Sequence, residues 1–422
     1  MKIAKALFVS PDHNFWYGLV AVAISVFVFA YSTRFGQVSI LVYYALWLPL
    51  ILIDYRHSLG NYAKFYWIIA FGVLACLSTF WSAASPVTAR GGVQYLSHIA
   101  CALIAARTMN IRTMSLGMLA GVFLVVLFSL VFGVYHYDPI DGTYSFVGAF
   151  ASKNLLGFFS SLGIYFGFAC IVILRERGVW RLLALIIGGL SAYALLASQS
   201  ATSIIATAAT LSGMIALSGI LLFSPRTRKT FVLVGTVLAV ATAVIGLNIG
   251  ALDLLLGAFG KDATLTGRTY LWAEGMAAAR ENPFFGVGYQ AYWVQGFAEA
   301  ERLWDEFYIG SRSGFHFHNT YIEILVELGF IGLLLAGVII VRVPLGHLVR
   351  LLNEKQNLAS YVGLGIGIML LVRSFFEVDV LHPYALGSFL LYYSAGLLAT
   401  SQKSRSFASD REPAETRLRH AT

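Results

Sequence analysis

Charge is scarce in this chain. Only 12% of its 422 residues are Asp, Glu, Lys or Arg, against roughly 25% in a soluble domain. That leaves too few polar groups to cover a water-exposed globule, which excludes a soluble fold. Cysteine is scarcer still. Cys76, Cys101 and Cys170 all fall inside apolar runs, without metal-ligand spacing or a disulfide framework, and read as small packing residues. No internal repeat stands out. The first apolar run lacks the small-residue cleavage site of a secretory signal and reads as a signal anchor.

What is present is hydrophobic, 58% of the residues. Apolar runs of about 18 or more residues recur along the chain, each long enough to cross roughly 30 Å of hydrocarbon. Spans are predicted near 15–33, 37–53, 65–84, 93–106, 113–135, 151–174, 181–197, 202–223, 230–250, 320–341, 358–376 and 383–401. Each must be helical, because backbone groups facing lipid need internal hydrogen bonds. The expected fold is an all-α polytopic membrane protein of about twelve transmembrane helices. Residues 1–250 hold the first nine spans, 251–319 form one large structured loop, 320–401 hold the last three spans, and 402–422 form a charged tail expected to be disordered. The 93–106 span is short and carries His98.

The net charge of +8 follows from basic loops that set orientation rather than from nucleic-acid binding. With both termini in the cytoplasm, all but Arg34, Arg90, Lys153, Lys261, Arg268, Arg280, Arg302, Arg312 and Arg373 among the 29 basic residues fall inside. Every short inner loop is then basic, and the 251–319 loop is periplasmic. Within it, one helical pattern runs from Thr266 to Glu281 and stops before Asn282-Pro283, where proline disfavours helix in the preceding residue. Another, acidic and aromatic, covers roughly Phe297 to Tyr308 and resembles an amphipathic lid, or a solvated face.

The stretch from Phe315 to Glu323 carries the most chemistry. Thr320 with Glu323 three residues later forms a capping-box pattern at the head of a long apolar helix. His318 is thereby placed at the helix entrance, where the positive dipole end disfavours imidazolium, and a neutral histidine can act as general base. Alternatively, His316 and His318 help cap the helix at the interface. With Glu377, Asp379 or His382 approaching, the two histidines could also form a zinc site, although no strong spacing such as H-E-x-x-H is present. Arg268 falls in the first turn of a predicted helix, where a cation is disfavoured. A guanidinium beside free helix N–H groups makes a phosphate site; the plain alternative is an exposed loop arginine. Lys153 and Arg373 stand near outer helix ends, where ionisable groups either serve function or snorkel to the interface. Arg280 and Arg312 add positive charge or are solvated. Asp138 and Asp141 resemble a metal pair but fit turn chemistry better.

These motifs, taken in order, resemble the O-antigen ligase and polymerase superfamily. The match runs through Gly267-Arg268 and Trp272, Asn282-Pro283-Phe284-Phe285-Gly286-Val287-Gly288, and His318-Asn319-Thr320-Tyr321 leading into Glu327-Leu328-Gly329-Phe330-Ile331-Gly332. Lys153-Asn154 and Ser198-Gln199-Ser200 look like its upstream motifs. The resemblance implies a multi-span, GT-C-like glycosyltransferase of the inner membrane that uses no metal, cofactor or nucleotide sugar. Its donor would be an oligosaccharide on undecaprenyl diphosphate, with a chain-length regulator and a flippase as pathway partners. Carried over, Arg268 binds the diphosphate and His318 activates the acceptor hydroxyl. Lys153, Arg373, Arg280, Arg312, His316 and Tyr321 complete the substrate-binding candidates. Ligases of the family usually follow Ser-x-Ser with arginine, where this chain has Ala201, so a donor-site cation is missing and Lys153 or Arg373 would substitute. The pattern Ser198-Gln199-Ser200-Ala201-Thr202 looks more like the exopolysaccharide polymerase branch than a lipid A-core ligase. A transporter or flippase is the alternative from another class, with His98 as its main support.

Overall fold

A backbone surrounded by hydrocarbon must satisfy its own N–H and C=O groups, and this chain does so with helices. The computed structural model describes residues 4–60, 62–138, 142–250, 257, 267–354 and 357–400. Asp141, Lys261, Thr266 and the tail 402–422 lie outside them. The first nine long helices are α1 (Phe15–Phe35), α2 (Gln37–Trp47), α3 (Tyr66–Leu77), α4 (Ser85–Thr108), α5 (Ile111–Phe132), α6 (Lys153–Phe168), α7 (Gly178–Ser198), α8 (Ala201–Ile220) and α9 (Pro225–Asn248). Two shorter ones, α10 (Arg268–Glu281) and α11 (Ala298–Glu306), precede α12 (Thr320–Asn353), α13 (Leu358–Ser374) and α14 (Leu386–Ala399). Each of the predicted spans contains or overlaps one of these helices. Among the described residues, eight helical stretches are long and apolar enough to cross a membrane; Gln37–Ile53, Leu358–Ser374 and Leu386–Ala399 are shorter and apolar.

The segment around His98 departs from its prediction. It is not a short span but the 24-residue α4. Its first turns are polar because they pack on protein: Thr88 Oγ1 donates to the Tyr289 carbonyl at 2.8 Å. His98 is fully buried, and its Nε2 lies 3.2 Å from the Ala385 carbonyl. A carbonyl only accepts, so Nε2 carries the proton and Nδ1 accepts from the Tyr43 hydroxyl at 3.0 Å. Both ring nitrogens are thus committed to packing, which removes the main support for a transporter.

Helix starts follow side-chain chemistry. Asn110, Ser152, Ser200, Ser224 and Asn357 each accept a backbone N–H from the first turn of the helix they precede. Ser198-Gln199-Ser200 is therefore a tight reversal between α7 and α8, with Gln199 left-handed at φ 51°. Before α6, a hairpin of β1 (Val134–Asp138) and β2 (Thr143–Gly148) pairs antiparallel, with Asp138 opposite Thr143 beside the turn. Away from the His318 end of the bundle, arginines bind helix-terminal carbonyls. Arg228 donates to Leu221, Phe223, Leu351 and Glu354, and Arg350 to Leu397 and Leu398.

The 34-residue α12 is broken at Gly329, where φ is 61°. The turn after α10 docks into that break. Val287 and Gly288 N–H donate to the Val326 and Glu327 carbonyls at 3.0 and 2.9 Å, and Phe330 N–H donates to Pro283 at 2.8 Å. Backbone meets backbone so closely that a Cβ at Gly329 would lie 2.2 Å from Phe284 carbon, and one at Gly286 2.3 Å from Glu327 carbon. Glycine is required at both positions. A second, smaller apolar cluster that includes Leu271, Tyr292, Leu303, Trp304, Phe317, Ile322 and Val326 binds α10 and α11 to the first turns of α12. α11 is consequently docked through buried Leu303 and Trp304, so the lid-like pattern marks a packed amphipathic helix.

Candidate active site

The capping box expected at the head of α12 does not form, and the cap lies one residue earlier. Asn319 is the cap, accepting from the N–H groups of Tyr321 and Ile322 at 3.0 and 3.2 Å. Thr320 instead donates its hydroxyl to the Glu377 carbonyl at 2.7 Å. Glu323 reaches past the helix to the Phe317 N–H at 2.8 Å. A tertiary partner on the approaching chain has displaced the local one. His318, just before the cap, adopts φ 51°.

Between α13 and α14 the chain carries Glu377, which is 5% exposed. Three kinds of group meet on its carboxylate: an amide, a guanidinium and an imidazole. Asn154 Nδ2 and Arg268 Nη2 both donate to Oε1, at 2.8 and 2.9 Å. His318 Nδ1 faces Oε2 at 3.4 Å. Arg268 also donates Nη1 to the Phe376 carbonyl at 2.9 Å. Behind Asn154 a hydrogen-bonded chain continues: Ser200 Oγ donates to Asn154 Oδ1 at 2.9 Å and, its one proton spent there, accepts from Ser203 Oγ at 3.0 Å. Arg373 then donates to Ser203 Oγ at 2.7 Å and to Asp379 Oδ2 at 2.6 Å.

The predicted site residues thus divide. Arg268, His318 and His316 come together, the two imidazoles with ring centroids 4.3 Å apart. Tyr321 lies alongside, its hydroxyl 2.9 Å from that of Ser374. Lys153 donates to Thr143 Oγ1 on β2 at 2.7 Å, and its neighbour Asn154 is the residue that reaches Glu377. Arg373 is 1% exposed; it neither snorkels nor faces the histidines, but stacks 4.4 Å over Phe158 and holds Asp379. Arg312 is paired with Glu301 and Asp305. Arg280 is at the far end of α10, about 18 Å from Arg268 at 1.5 Å rise per residue. His382 contacts Gln290 at 3.4 Å. Sequence reasoning passed over Glu377 as the meeting point. The signal available was a carboxylate stranded between two apolar spans.

Burial alone would raise the Glu377 carboxyl, but the Arg268 guanidinium beside it holds it well below the usual carboxylate range. His316 is pushed well below its ordinary value by burial and by His318, and stays a neutral imidazole. His316, His318 and Glu377 offer ligand atoms within 4.8 Å of one another and could hold a metal. The Arg268 guanidinium on the same carboxylate supplies compensating charge and opposes a divalent ion there.

The low Glu377 value has a consequence for stability. Its ordinary value is 4.5, so ionised Glu377 stabilises the fold fully above that pH and progressively less as pH falls toward the folded value. Glu377→Gln should lower the thermal unfolding midpoint at pH 7, where breaking a buried pair costs about 3 kcal/mol. The gap between the melting curves of parent and variant should begin to close only below about pH 4.5 and narrow further as pH falls toward the folded value; a gap that is independent of pH would place the effect in packing.

The family model for O-antigen ligase matches residues 186–337, a range that includes Arg268 and His318. The chain is 57% identical over 405 residues to the exopolysaccharide production protein ExoQ of Rhizobium meliloti (strain 1021), covering 96% of this chain and 93% of that protein.

Proposed function

The chain belongs to the O-antigen ligase family, and from that premise we propose that it is a polysaccharide polymerase. It transfers a growing glycan from undecaprenyl diphosphate to a hydroxyl of a lipid-linked repeat unit, at the periplasmic face of the inner membrane and with both termini in the cytoplasm. His318 is the general base. With Nδ1 turned to Glu377, Nε2 is the nitrogen left to take the proton of the acceptor hydroxyl. The hydroxyl oxygen bonds to the anomeric carbon as the bond from that carbon to the diphosphate breaks, and the diphosphate leaves with the electron pair. Arg268 meets the negative charge that grows there with the N–H groups not spent on Phe376 and Glu377. Gly267, left-handed at φ 79°, starts α10 at Arg268, which sets the guanidinium at the positive end of that helix, where a phosphate is favoured. No metal, cofactor or nucleotide sugar takes part.

The observation that carries this reading is that a guanidinium and an imidazole converge on one buried carboxylate. A base and an anion-stabilising cation are what transfer from a diphosphate-linked sugar requires. The ExoQ relative is named for exopolysaccharide production, a setting in which a polymerase fits, and the family model is named for a ligase, which would use the same donor and cluster with a different acceptor. Purified protein incubated with synthetic lipid-linked repeat units separates the two. A ladder of lengthening products supports the polymerase. Product formed only with a lipid A-core acceptor would make it a ligase, and flux without bond formation would make it a transporter.

A further inference from the structure

Phe317 lies between the two histidines, and its backbone is gripped from both sides. Its N–H donates to Glu323 Oε2 at 2.8 Å. Its carbonyl accepts from Trp272 Nε1 at 2.9 Å. Its ring is fully buried, against Tyr292 and Trp293. Glu323 is itself fully buried in the first turn of α12. It is not needed to cap that helix, because Asn319 already serves two of the leading N–H groups. Trp272 is four residues after Arg268 on α10, hence on the same helix face, and its ring also faces Phe376, the residue whose carbonyl receives Arg268.

We propose that Glu323 and Trp272 are positioning residues for the transfer reaction: through the Phe317 backbone they lock His318 at a fixed distance from the Arg268 guanidinium. The inference rests on the reading of His318 as base and adds how that base is placed. His318 holds a left-handed backbone, φ 51°, which a residue with a side chain keeps only when its surroundings over-determine it. The two bonds to Phe317 supply that determination from one side, and the Asn319 amide, donating to the Phe375 carbonyl at 3.2 Å, supplies it from the other. Trp272 makes the distance between base and cation a property of α10, since one helix presents both Arg268 and the indole that holds the histidine strand. Neither residue touches the reacting atoms. A shift of about 1 Å in a reacting group can cost about a hundred-fold in rate.

The test uses the full-length protein in detergent with synthetic lipid-linked repeat units, measuring kcat and the KM for donor. Glu323→Ala and Trp272→Phe should lower kcat by roughly ten- to a hundred-fold while leaving that KM nearly unchanged. Glu323→Gln, whose amide oxygen can still accept from the Phe317 N–H, should recover most of kcat. A purely structural role would lower the amount of active enzyme without a rescue that tracks this one hydrogen bond; active-site titration corrects for it. Parental kcat in Glu323→Ala, or Glu323→Gln as slow as Glu323→Ala, overturns the proposal. If Glu323→Ala does not fold, parental kcat in Trp272→Phe overturns it alone. His318→Ala run alongside separates the two readings. An active His318→Ala removes the base, whereas an inactive one beside a fully active Glu323→Ala removes only the positioning.

Discussion

His318→Ala is expected to abolish polymer growth while single repeat units remain on their lipid carrier. Losing a positioned general base costs typically 10²–10⁴-fold in rate, and the alanine leaves no nearby substitute. His316 is the nearest alternative, but its Nδ1 already accepts the His318 N–H at 3.1 Å. His318 Nδ1 stands 3.4 Å from Glu377, a separation that catalytic pairs often show before substrate tightens them. In the proposed reaction the carboxylate would hold Nδ1, leave Nε2 free and stabilise the imidazolium as the proton arrives. Donor binding should survive in this variant, because Arg268 keeps both its contacts with the 376–377 segment. The measurement is product length on gels of lipid-linked glycan, with donor affinity determined in parallel. Polymer of parental length would remove His318 from the chemistry.

Much of the fold could be read from apolar run length, because a membrane-spanning helix is written locally: about twenty residues must all tolerate lipid. The helix ending at Glu281 was legible for the same reason, stopped by Asn282-Pro283. Where local rules met a tertiary partner, they failed in instructive ways. Thr320 and Glu323 have the spacing of a capping box, yet Glu377 claims the Thr320 hydroxyl and Phe317 claims the Glu323 carboxylate. Asn319, one residue earlier, is then the cap. Arg373 was legible as an ionisable group at membrane depth, but not its partner: Asp379 and Ser203 lie on different segments. Glu377 was the least legible, since its contacts come from residues 154, 268 and 318. No pattern along the sequence encodes that convergence. The Ser-Gln-Ser turn shows the same limit, since Ser200 both caps α8 and passes a hydrogen bond to Asn154, and only the first role follows from its neighbours.

Arg268→Ala should remove donor binding and destabilise the protein at once, and the two losses can be separated. The guanidinium is 15% exposed and its carboxylate partner 6%, so the alanine strands a buried charge; breaking such a pair costs about 3–5 kcal/mol. Charge-assisted hydrogen bonds to a diphosphate contribute about 1.5–3 kcal/mol each, or at least ten-fold in affinity per bond. Arg268→Ala combined with Glu377→Gln no longer leaves an uncompensated charge, so the double variant should regain most of the thermal midpoint without regaining affinity for undecaprenyl diphosphate. Arg268→Lys keeps the charge but presents a point donor in place of a planar fork, and cannot span the Phe376 carbonyl and Glu377 Oε1 as the guanidinium does. It should bind donor more weakly than the parent and more tightly than Arg268→Ala. Unchanged affinity in Arg268→Ala would move the diphosphate away from α10, leaving this arginine as a structural partner of Glu377. Affinity restored by the double variant would show that the earlier loss came from misfolding of the cluster rather than from a missing contact to phosphate.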